Sequence, residues 1–550
     1  MNASLLNALS AAISDNTVHV LQLRKIVVAL AISGRLNEVD ASIGHEEILA
    51  LLGDVKRRLM SQRVLAKQKP NVAITPDQLP EDFTDPSKFI SLGHIARVEK
   101  GKTGIQQAKP GPYPLVVTAA ERITADHYDF DGAAAIIPLV SSTGHGNASI
   151  NRLHYQEGQF ALGTILAAVL PHDQALFSAR FLFEYLSAFK EELLVSRMTG
   201  TANVTLTLGR IEEVPIPLVS PVIQQQVDQL MALCDEMEAA RTEREMKRDR
   251  LAAASLARLN IPDPKTFRDD ARFALDALPA LTARRDQIKQ LRQTILNLAV
   301  CGKLVPQDPT DEPAVLPPQK KFAASSGLDV AVFKEFEGTI SLPYGWHIAP
   351  LARLADNIVD CPHTTPNWTE SGIICVRTSQ LRSRTLDLSA PRFVSPDEYL
   401  ERIERLEPKA DDILYSREGG ILGVACRIPR GVRLCLGQRL MLIRSGAETR
   451  ADFLEIVLNS PFITDIAKAR TTGGAAPRVN MSTVRAYPIP VPPLAEQHRI
   501  VVKVDELMAL CDQLEASLTS ADETRKKLLD ALLAEVLARP EADVLREAAE

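Results

Sequence analysis

One stretch of this chain occurs twice, and that repetition constrains the fold more than any other feature. Val227-Asp-Gln-Leu-Met-Ala-Leu-Cys-Asp-Glu-Met-Glu-Ala239 returns as Val504-Asp-Glu-Leu-Met-Ala-Leu-Cys-Asp-Gln-Leu-Glu-Ala516, with three conservative differences. Each copy follows a Pro-Ile-Pro exit, Val214-Pro-Ile-Pro217 and Tyr487-Pro-Ile-Pro490. A second repeat overlaps the first: Leu23, Arg24, Ala31, Gly34 and Leu36 reappear in register as Leu291, Arg292, Ala299, Gly302 and Leu304. The run Arg525-Lys-Lys-Leu-Leu-Asp-Ala-Leu-Leu533 is a weaker third relative, without the glycine. Repetition at this spacing predicts two like halves, with part of one half's helical unit placed at the N-terminus.

Each half has two kinds of segment. Between Ile223 and Arg258 the apolar residues Val227, Leu230, Met231 and Met237 fall at three-and-four spacing among charges, the pattern of an amphipathic helix. At 1.5 Å per residue such a helix is a rod of roughly 54 Å. Asn260-Ile-Pro-Asp-Pro264 stops it, and a second helix from Arg284 to about Val300 ends at Gly302. Two such helices joined by a break predict an antiparallel pair acting as a spacer. The stretches 86–217 and 341–493 carry short β-type runs, such as Ala135-Ile-Ile-Pro-Leu-Val140 and Arg439-Leu-Met-Leu-Ile-Arg444, with Gly-rich turns between them.

The expected fold class is α+β: two mixed α/β domains separated by long antiparallel, coiled-coil-like helices in a pseudo-twofold arrangement. The expected organisation is 1–85 helical, 86–217 first mixed domain, 218–305 central helical spacer, 306–340 Pro-rich linker, 341–493 second mixed domain, and 494–550 C-terminal helical spacer and tail.

Bulk chemistry narrows the function. The first thirty residues lack a signal-peptide pattern and no apolar run approaches membrane-spanning length, so a cytoplasmic location is expected. Seven scattered cysteines with no Cys-x-x-Cys pair read as reduced thiols, with no metal site. The formal net charge of −6 is unevenly spread: 342–490 holds 19 Lys+Arg against 16 Asp+Glu, while 491–550 holds 7 against 13. That distribution permits nucleic-acid binding without requiring it.

Three other functions were weighed. Asp397, Glu407 and Lys409 mimic the carboxylate–carboxylate–lysine set of a Mg²⁺-dependent nuclease, but such residues belong on adjacent strands. A methyltransferase needs a Gly-rich cofactor loop and an Asn/Asp-Pro-Pro-aromatic motif, and neither is present. Lys100-Gly-Lys-Thr103 matches the end of a phosphate loop but lacks its leading glycine, position 96 being alanine. A coiled-coil scaffold accounts for the helices and leaves both mixed domains without a task.

The lead-in Ser341-Leu-Pro-Tyr-Gly-Trp346, the exit Pro488-Ile-Pro-Val-Pro-Pro-Leu-Ala-Glu-Gln497, the helix Ile500 to Glu515 and the stretch Gly302-Lys-Leu-Val-Pro-Gln-Asp-Pro309 resemble the specificity subunit of type I restriction–modification enzymes. The resemblance covers nearly the whole chain. The first copy departs from it: after Pro217 it is about four residues shorter and lacks the Ala-Glu-Gln box. The resemblance implies a non-catalytic, double-stranded-DNA-binding subunit whose two mixed domains are target recognition domains, each reading one half of a split target. It also implies helical regions that hold two methyltransferase subunits, with two restriction/translocase subunits completing the complex. AdoMet, ATP and Mg²⁺ then belong to those partners, and this chain needs no cofactor.

DNA readout calls for Arg, Asn or Gln at base edges and hydroxyls, Lys or backbone N–H groups at phosphates. Candidates of those types in the turns of the first domain are Lys102, Thr103, Ser142, Thr143, His145, Asn147, Thr199, Thr201 and Asn203. In the second they are His363, Thr364, Arg377, Ser416, Arg417, Gln438, Arg439, Thr471, Thr472, Arg478 and Asn480. A Gly/Ser/Thr turn is by default only a solvated turn. The two exit loops are favoured because both precede a Pro-Ile-Pro exit.

Overall fold

The computed structural model describes residues 17–34, 36, 44–63, 65, 73–81, 83–143, 146–201, 203–260, 263, 265–318, 329–336, 342–472 and 477–537. They form two units: the chain up to Glu245 together with the stretch from Ala521, and Met246–Ser520. No described helix is long and apolar enough to cross a membrane.

In the first unit, helix α1 (Thr17–Ile32) precedes the mixed domain. That domain is closed by β1 (Phe89–Ser91) pairing with β10 (Pro215–Pro217). Between them stand β2 (Ala96–Lys100), β3 (Tyr113–Val116), β4 (Ile123–Ala125), β5 (Phe130–Asp131), β6 (Ala134–Pro138), β7 (His154–Gln156), β8 (Gln159–Leu162) and β9 (Leu166–Pro171). They make one sheet of order β2-β9-β6-β7 and a second of order β4-β3-β8-β5, in which β3 and β8 run parallel. Strands β6 and β9 read as unbroken apolar runs because both faces of the sheet are covered. Ala135, Ile137 and Val169 pack with Phe181 and Tyr185 of helix α2 (Ala179–Ala188). The alternating residues Ile136, Leu166 and Ala168 pack with Val116, Phe160 and Leu162 of the second sheet. Each fully buried side chain of this size contributes about 1.5–3 kcal/mol.

Helix α3 (Pro221–Asn260) begins in this unit and ends in the next; a short return helix, α4 (Phe267–Asp276), and α5 (Arg285–Val300) follow it. The second mixed domain is closed by β11 (His347–Pro350) on β22 (Pro488–Val491). Its other strands are β12 (Ala355–Asp360), β13 (Trp368–Thr369), β14 (Ile373–Val376), the hairpin β15 (Leu381–Arg382) and β16 (Thr385–Leu386), β17 (Phe393–Val394), β18 (Ile413–Ser416), β19 (Ala425–Arg427), β20 (Leu434–Leu436) and β21 (Leu440–Ser445). The first sheet, β12-β21-β18-β19, repeats the order of β2-β9-β6-β7. The second, β13-β17-β14-β20, again contains one parallel pair, β14 with β20. Side chains split by face as before: Tyr415, Met441 and Ile443 share a core with helix α7 (Ala451–Asn459), while Leu414, Leu440 and Leu442 pack with Val376 and Leu436. Helix α6 (Pro396–Ile403) precedes β18, and helix α8 (Leu494–Leu537) ends the described chain.

The short first copy of the exit turns out to keep its essential group. Gln224 Nε2 donates to Leu176 O (2.9 Å) and Val219 O (2.7 Å), and its Oε1 accepts from Ser178 N (2.8 Å). Gln497 does the same with Glu448 O (3.1 Å), Pro492 O (3.0 Å) and Arg450 N (2.8 Å). The two glutamines are equivalent clamps. The extra residues of the second copy lie between Gln497 and Val504, and four residues are about one helical turn, so the conserved face returns to nearly the same side.

The second repeat also holds at the level of contacts. Arg24 on α1 meets Met231 Sδ at 3.8 Å and pairs with Asp235 and Glu238 of α3. Arg292 on α5 meets Met508 Sδ at 3.7 Å and pairs with Asp512 (2.7 Å) and Glu515 (2.9 Å) of α8.

One expectation is corrected. The helices 223–258 and 284–300 are not an antiparallel pair. Arg284, just before α5, pairs with Asp249, and Asn297 near its end donates to Asn260 O, so partners advance together along α3 and α5. The reason is α4, which runs back along α3 through Phe267, Ala271 and Ala274 against Ala252, Leu256 and Leu259. The antiparallel partner of α5 is α8, as Arg285 with Thr519 and Arg292 with Met508, Asp512 and Glu515 show. The Pro-rich segment 306–340, where described, is held against the second unit. Gln307 donates to Glu496, Asp311 pairs with Arg499, Arg353 donates to Pro317 O, and Ala314 and Val332 join the second unit's core.

Candidate nucleic-acid interface

In both mixed domains the turns singled out from sequence gather at one end of the first sheet. In the first unit the turn after β2 carries Lys102 and Thr103, the turn after β6 carries Ser142, Thr143 and Asn147, and the exit loop carries Thr199, Thr201 and Asn203. Bridges Val140 to Thr205 and Thr199 to Thr205, with Ser141 N donating to Val204 O (2.9 Å), tie the second turn to the exit loop. Two glycines make the approach possible. A Cβ on Gly146 (φ 81°) would stand 2.5 Å from Thr201 O, and one on Gly200 (φ 133°) 2.1 Å from Asn203 O. Ser142, Thr143, Asn147, Thr199, Thr201 and Asn203 are all exposed there. His145 lies outside the described residues.

The corresponding turns of the second unit behave alike. Bridges Glu418 to Arg478 and Thr472 to Arg478 repeat the pair just described. Gly419 N donates to Pro477 O (2.9 Å) and Val479 N to Arg417 O (2.9 Å), so the turn after β18 and the exit loop form one body. Gln438, before β21, donates to His363 O (3.0 Å) and Thr365 Oγ1 (3.1 Å), joining the turn after β12. Exposed at this end are His363, Thr364, Arg439, Thr471, Thr472, Arg478 and Asn480; Arg377 and Gln438 are half-buried. Arg439 holds φ at 68°, a backbone state that costs a non-glycine residue about 1 kcal/mol or more.

Three candidates belong to the framework beneath this surface, not to the surface. Thr103 is 4% exposed: its hydroxyl donates to Asp129 (2.8 Å) and meets His127 Nε2 (2.9 Å), while Asp129 also accepts Leu162 N (2.9 Å). Ser416 is wholly buried. Arg417, 8% exposed, makes a two-pronged pair with Asp360 (2.6 and 3.2 Å) and donates to Val479 O. Burial works against its charge, but Asp360 more than offsets that and holds the guanidinium proton above its ordinary range. These residues set the loops in place, because a buried polar group must spend its hydrogen bonds on neighbours.

The set Asp397, Glu407 and Lys409 does not form the arrangement a nuclease needs. Asp397 sits in the first turn of α6, Glu407 accepts from Tyr399 Oη (3.1 Å), and Lys409 N donates to Asp412 (2.8 Å), all off the strands. Among the described residues no group of three or more His, Cys, Asp or Glu side chains could hold a metal.

Sequence reading missed Trp368 and Arg392, which the pairing of β13 with β17 brings beside Arg377. One signal was available: of the two tryptophans, Trp346 is spent in the domain closure, donating to Glu496 (2.9 Å), which leaves the other in a polar turn. It also missed Tyr113 and Tyr128 of the first unit, whose rings stand 5.1 Å apart with Tyr128 exposed.

Residues 370–521 match a family described as the type I restriction modification DNA specificity domain. The specificity subunit of the type I restriction enzyme EcoEI of Escherichia coli is 25% identical over 93% of this chain and 93% of its own length. That of EcoAI, also of Escherichia coli, is 25% identical over 93% and 92%. A solved chain from a type I restriction–modification system aligns over 82% of this chain and 97% of its own length, at 16% identity and a TM-score of 0.49. Alignment with two curated relatives over 93% of the chain, a matching domain at 370–521, and a duplicated loop-bearing fold agree with one another: over nearly its whole length the chain is similar to the specificity subunits of type I restriction–modification enzymes.

Proposed function

We propose that this chain reads a split DNA sequence for a type I restriction–modification enzyme, one block per mixed domain, and leaves the chemistry to its partners. The observation that carries the reading is the duplication of a loop cluster at the same end of the same sheet order, filled with different side chains. Exposed Thr, Ser and Asn suit phosphates, and Arg, Asn and Gln suit base edges. Two readers of different composition call for two different blocks, hence an asymmetric target. The helical regions serve as the spacer between the blocks and as the seat of two methyltransferase subunits, with two restriction/translocase subunits completing the complex in the cytoplasm. AdoMet, ATP and Mg²⁺ are carried by those partners. The net charge of −6 makes the isolated chain a weak, salt-sensitive DNA binder.

The test is to express the chain with its methyltransferase partner in a methylation-free host and map modified adenines at base resolution. One asymmetric motif of two blocks around a fixed gap is expected. A continuous motif, or modification without sequence preference, would reject the reading.

A further inference from the structure

At the loop end of the second unit, one aromatic ring holds two arginines. Arg392 lies 5.2 Å and Arg377 5.8 Å from the centre of the Trp368 ring. Backbone pairing builds the group: Trp368 sits opposite Val394 in the β13–β17 pair, and Cys375 N donates to Arg392 O (2.8 Å). Arg377 follows the last residue of β14, and its backbone N donates to Gln380 Oε1 (3.0 Å). Gly437 N donates to Val376 O (2.8 Å), so Arg377 adjoins the turn that carries Gln438 and Arg439. Among the described residues neither Arg377 nor Arg392 has a carboxylate partner, whereas Arg402 nearby is paired with Glu398 (2.7 Å) and Arg417 with Asp360. Arg377 Nε is buried with no acceptor at all.

This is an unusual use of charge. Stacking on an indole employs the face of a guanidinium, the ring's negative face attracting the cation. It leaves the in-plane N–H donors for another partner, and that planar fork matches two acceptors side by side. Among the described residues the first unit has no aromatic ring holding two arginines at its loop end; it has instead the pair of Tyr113 with the exposed Tyr128, and Lys102 lies over Phe130 at 5.4 Å.

We infer that Trp368 splints Arg377 and Arg392 as a DNA-gripping fork of the second unit, taking a pair of adjacent acceptors on the duplex. The inference rests on the reading of the chain as a DNA-sequence reader. Two sources supply such acceptors: the O6/N7 edge of a guanine, which would make the fork a specificity determinant, and the oxygens of one phosphate, which would make it a grip.

The experiment uses the full methyltransferase complex with Arg377→Gln, Arg392→Gln, Arg377→Lys and Trp368→Leu, read by base-resolved methylation and by the salt dependence of DNA binding. If a guanine is read, Arg377→Gln or Arg392→Gln relaxes one position of one block by on the order of 10- to 100-fold and leaves the other block untouched. The Arg377→Lys variant, which keeps charge without the fork, then restores binding but not the base preference. If a phosphate is held, the motif is unchanged, affinity falls for every sequence, and the slope of log K against log salt drops by about 1 per arginine. In either case Trp368→Leu reproduces the arginine loss in part. Wild-type motif, affinity and slope in both Arg→Gln variants would overturn the inference while leaving the functional reading intact. A wild-type complex that yields no two-block motif would instead remove that reading.

Discussion

The two mixed domains share a strand order and differ in what ties their loop ends together. In the first, a hydroxyl and two acids do it: Thr103 donates to Asp129, Asp129 accepts Leu162 N, and His127 joins Thr103 to Asp126. In the second, the buried pair of Arg417 with Asp360 and the donation of Arg417 to Val479 O do it. Around these locks the side chains differ as well, exposed Thr, Ser, Asn and Tyr128 in one, arginines and the half-buried Trp368 in the other. One scaffold therefore accepts different locks and different surfaces. The apolar strands β6 and β9, or β18 and β21, settle the backbone, and the turns at their ends are free to diverge.

The sharpest way to break that comparison is exchange. Replacing 341–493 by another recognition domain is expected to change one block of the methylation motif completely and leave the other and the gap intact; a change in both blocks would show that the domains do not read independently.

Next in size are the locks. Arg417→Ala leaves the largely buried Asp360 carboxylate with only His363 Nε2 (3.3 Å) as an ion-pair partner and is expected to cost the second unit about 3 kcal/mol. Thr103→Val should cost the first about 1–3 kcal/mol, since Asp129 keeps its Leu162 partner. Denaturant unfolding followed by unit-resolved hydrogen exchange measures both, and equal losses would erase the contrast.

The clamps should behave in the opposite way, alike. Gln224→Ala and Gln497→Ala each leave backbone groups unpaired and are expected to destabilise their own unit by about 2 kcal/mol. Unequal losses would mean that the four extra residues after Gln497 changed more than helix length.

The last expected difference is in pH. Burial, reinforced by nearby cations, lowers His154 and His172 of the first unit from 6.5 to about 4. The folded form resists protonation that the unfolded form accepts, so stability is full above pH 6.5 and is lost as pH falls through that value toward 4. Between pH 7 and 5 the first unit should lose about 1–2 kcal/mol per histidine, seen as faster exchange in β7 and β9. The same exchange measurement on the second unit, whose described histidines His347, His363 and His498 are exposed, is the internal comparison.

Much of this organisation was legible in the chain. The repeated Val227–Ala239 and Val504–Ala516 runs revealed the duplication, and the apolar runs of β6 and β21 marked strands. The direction of α5 was not legible. Nothing in Lys265–Leu281 announces a return helix, because its few apolar residues pack locally against α3. The clamp role of Gln224 was hidden too, since its surroundings lack the Ala-Glu-Gln box and only its hydrogen bonds identify it. Among the candidate site residues most of those in turns are exposed, whereas Thr103, Ser416 and Arg417 are buried. Polar residues in turns look the same in sequence whether they face solvent or a buried acid.

By itself, then, the sequence determined the duplication, the α+β class and the family resemblance, because apolar periodicity and repeated motifs are local properties of a chain. Tertiary structure alone decided which polar residues are locks and which are exposed. It also decided that Trp368, Arg377 and Arg392 meet, although 24 residues separate the first from the last. The physical reason is that hydrogen-bond partners and stacked rings are set by strand pairing between distant segments, and no local spacing encodes which segment will arrive beside which.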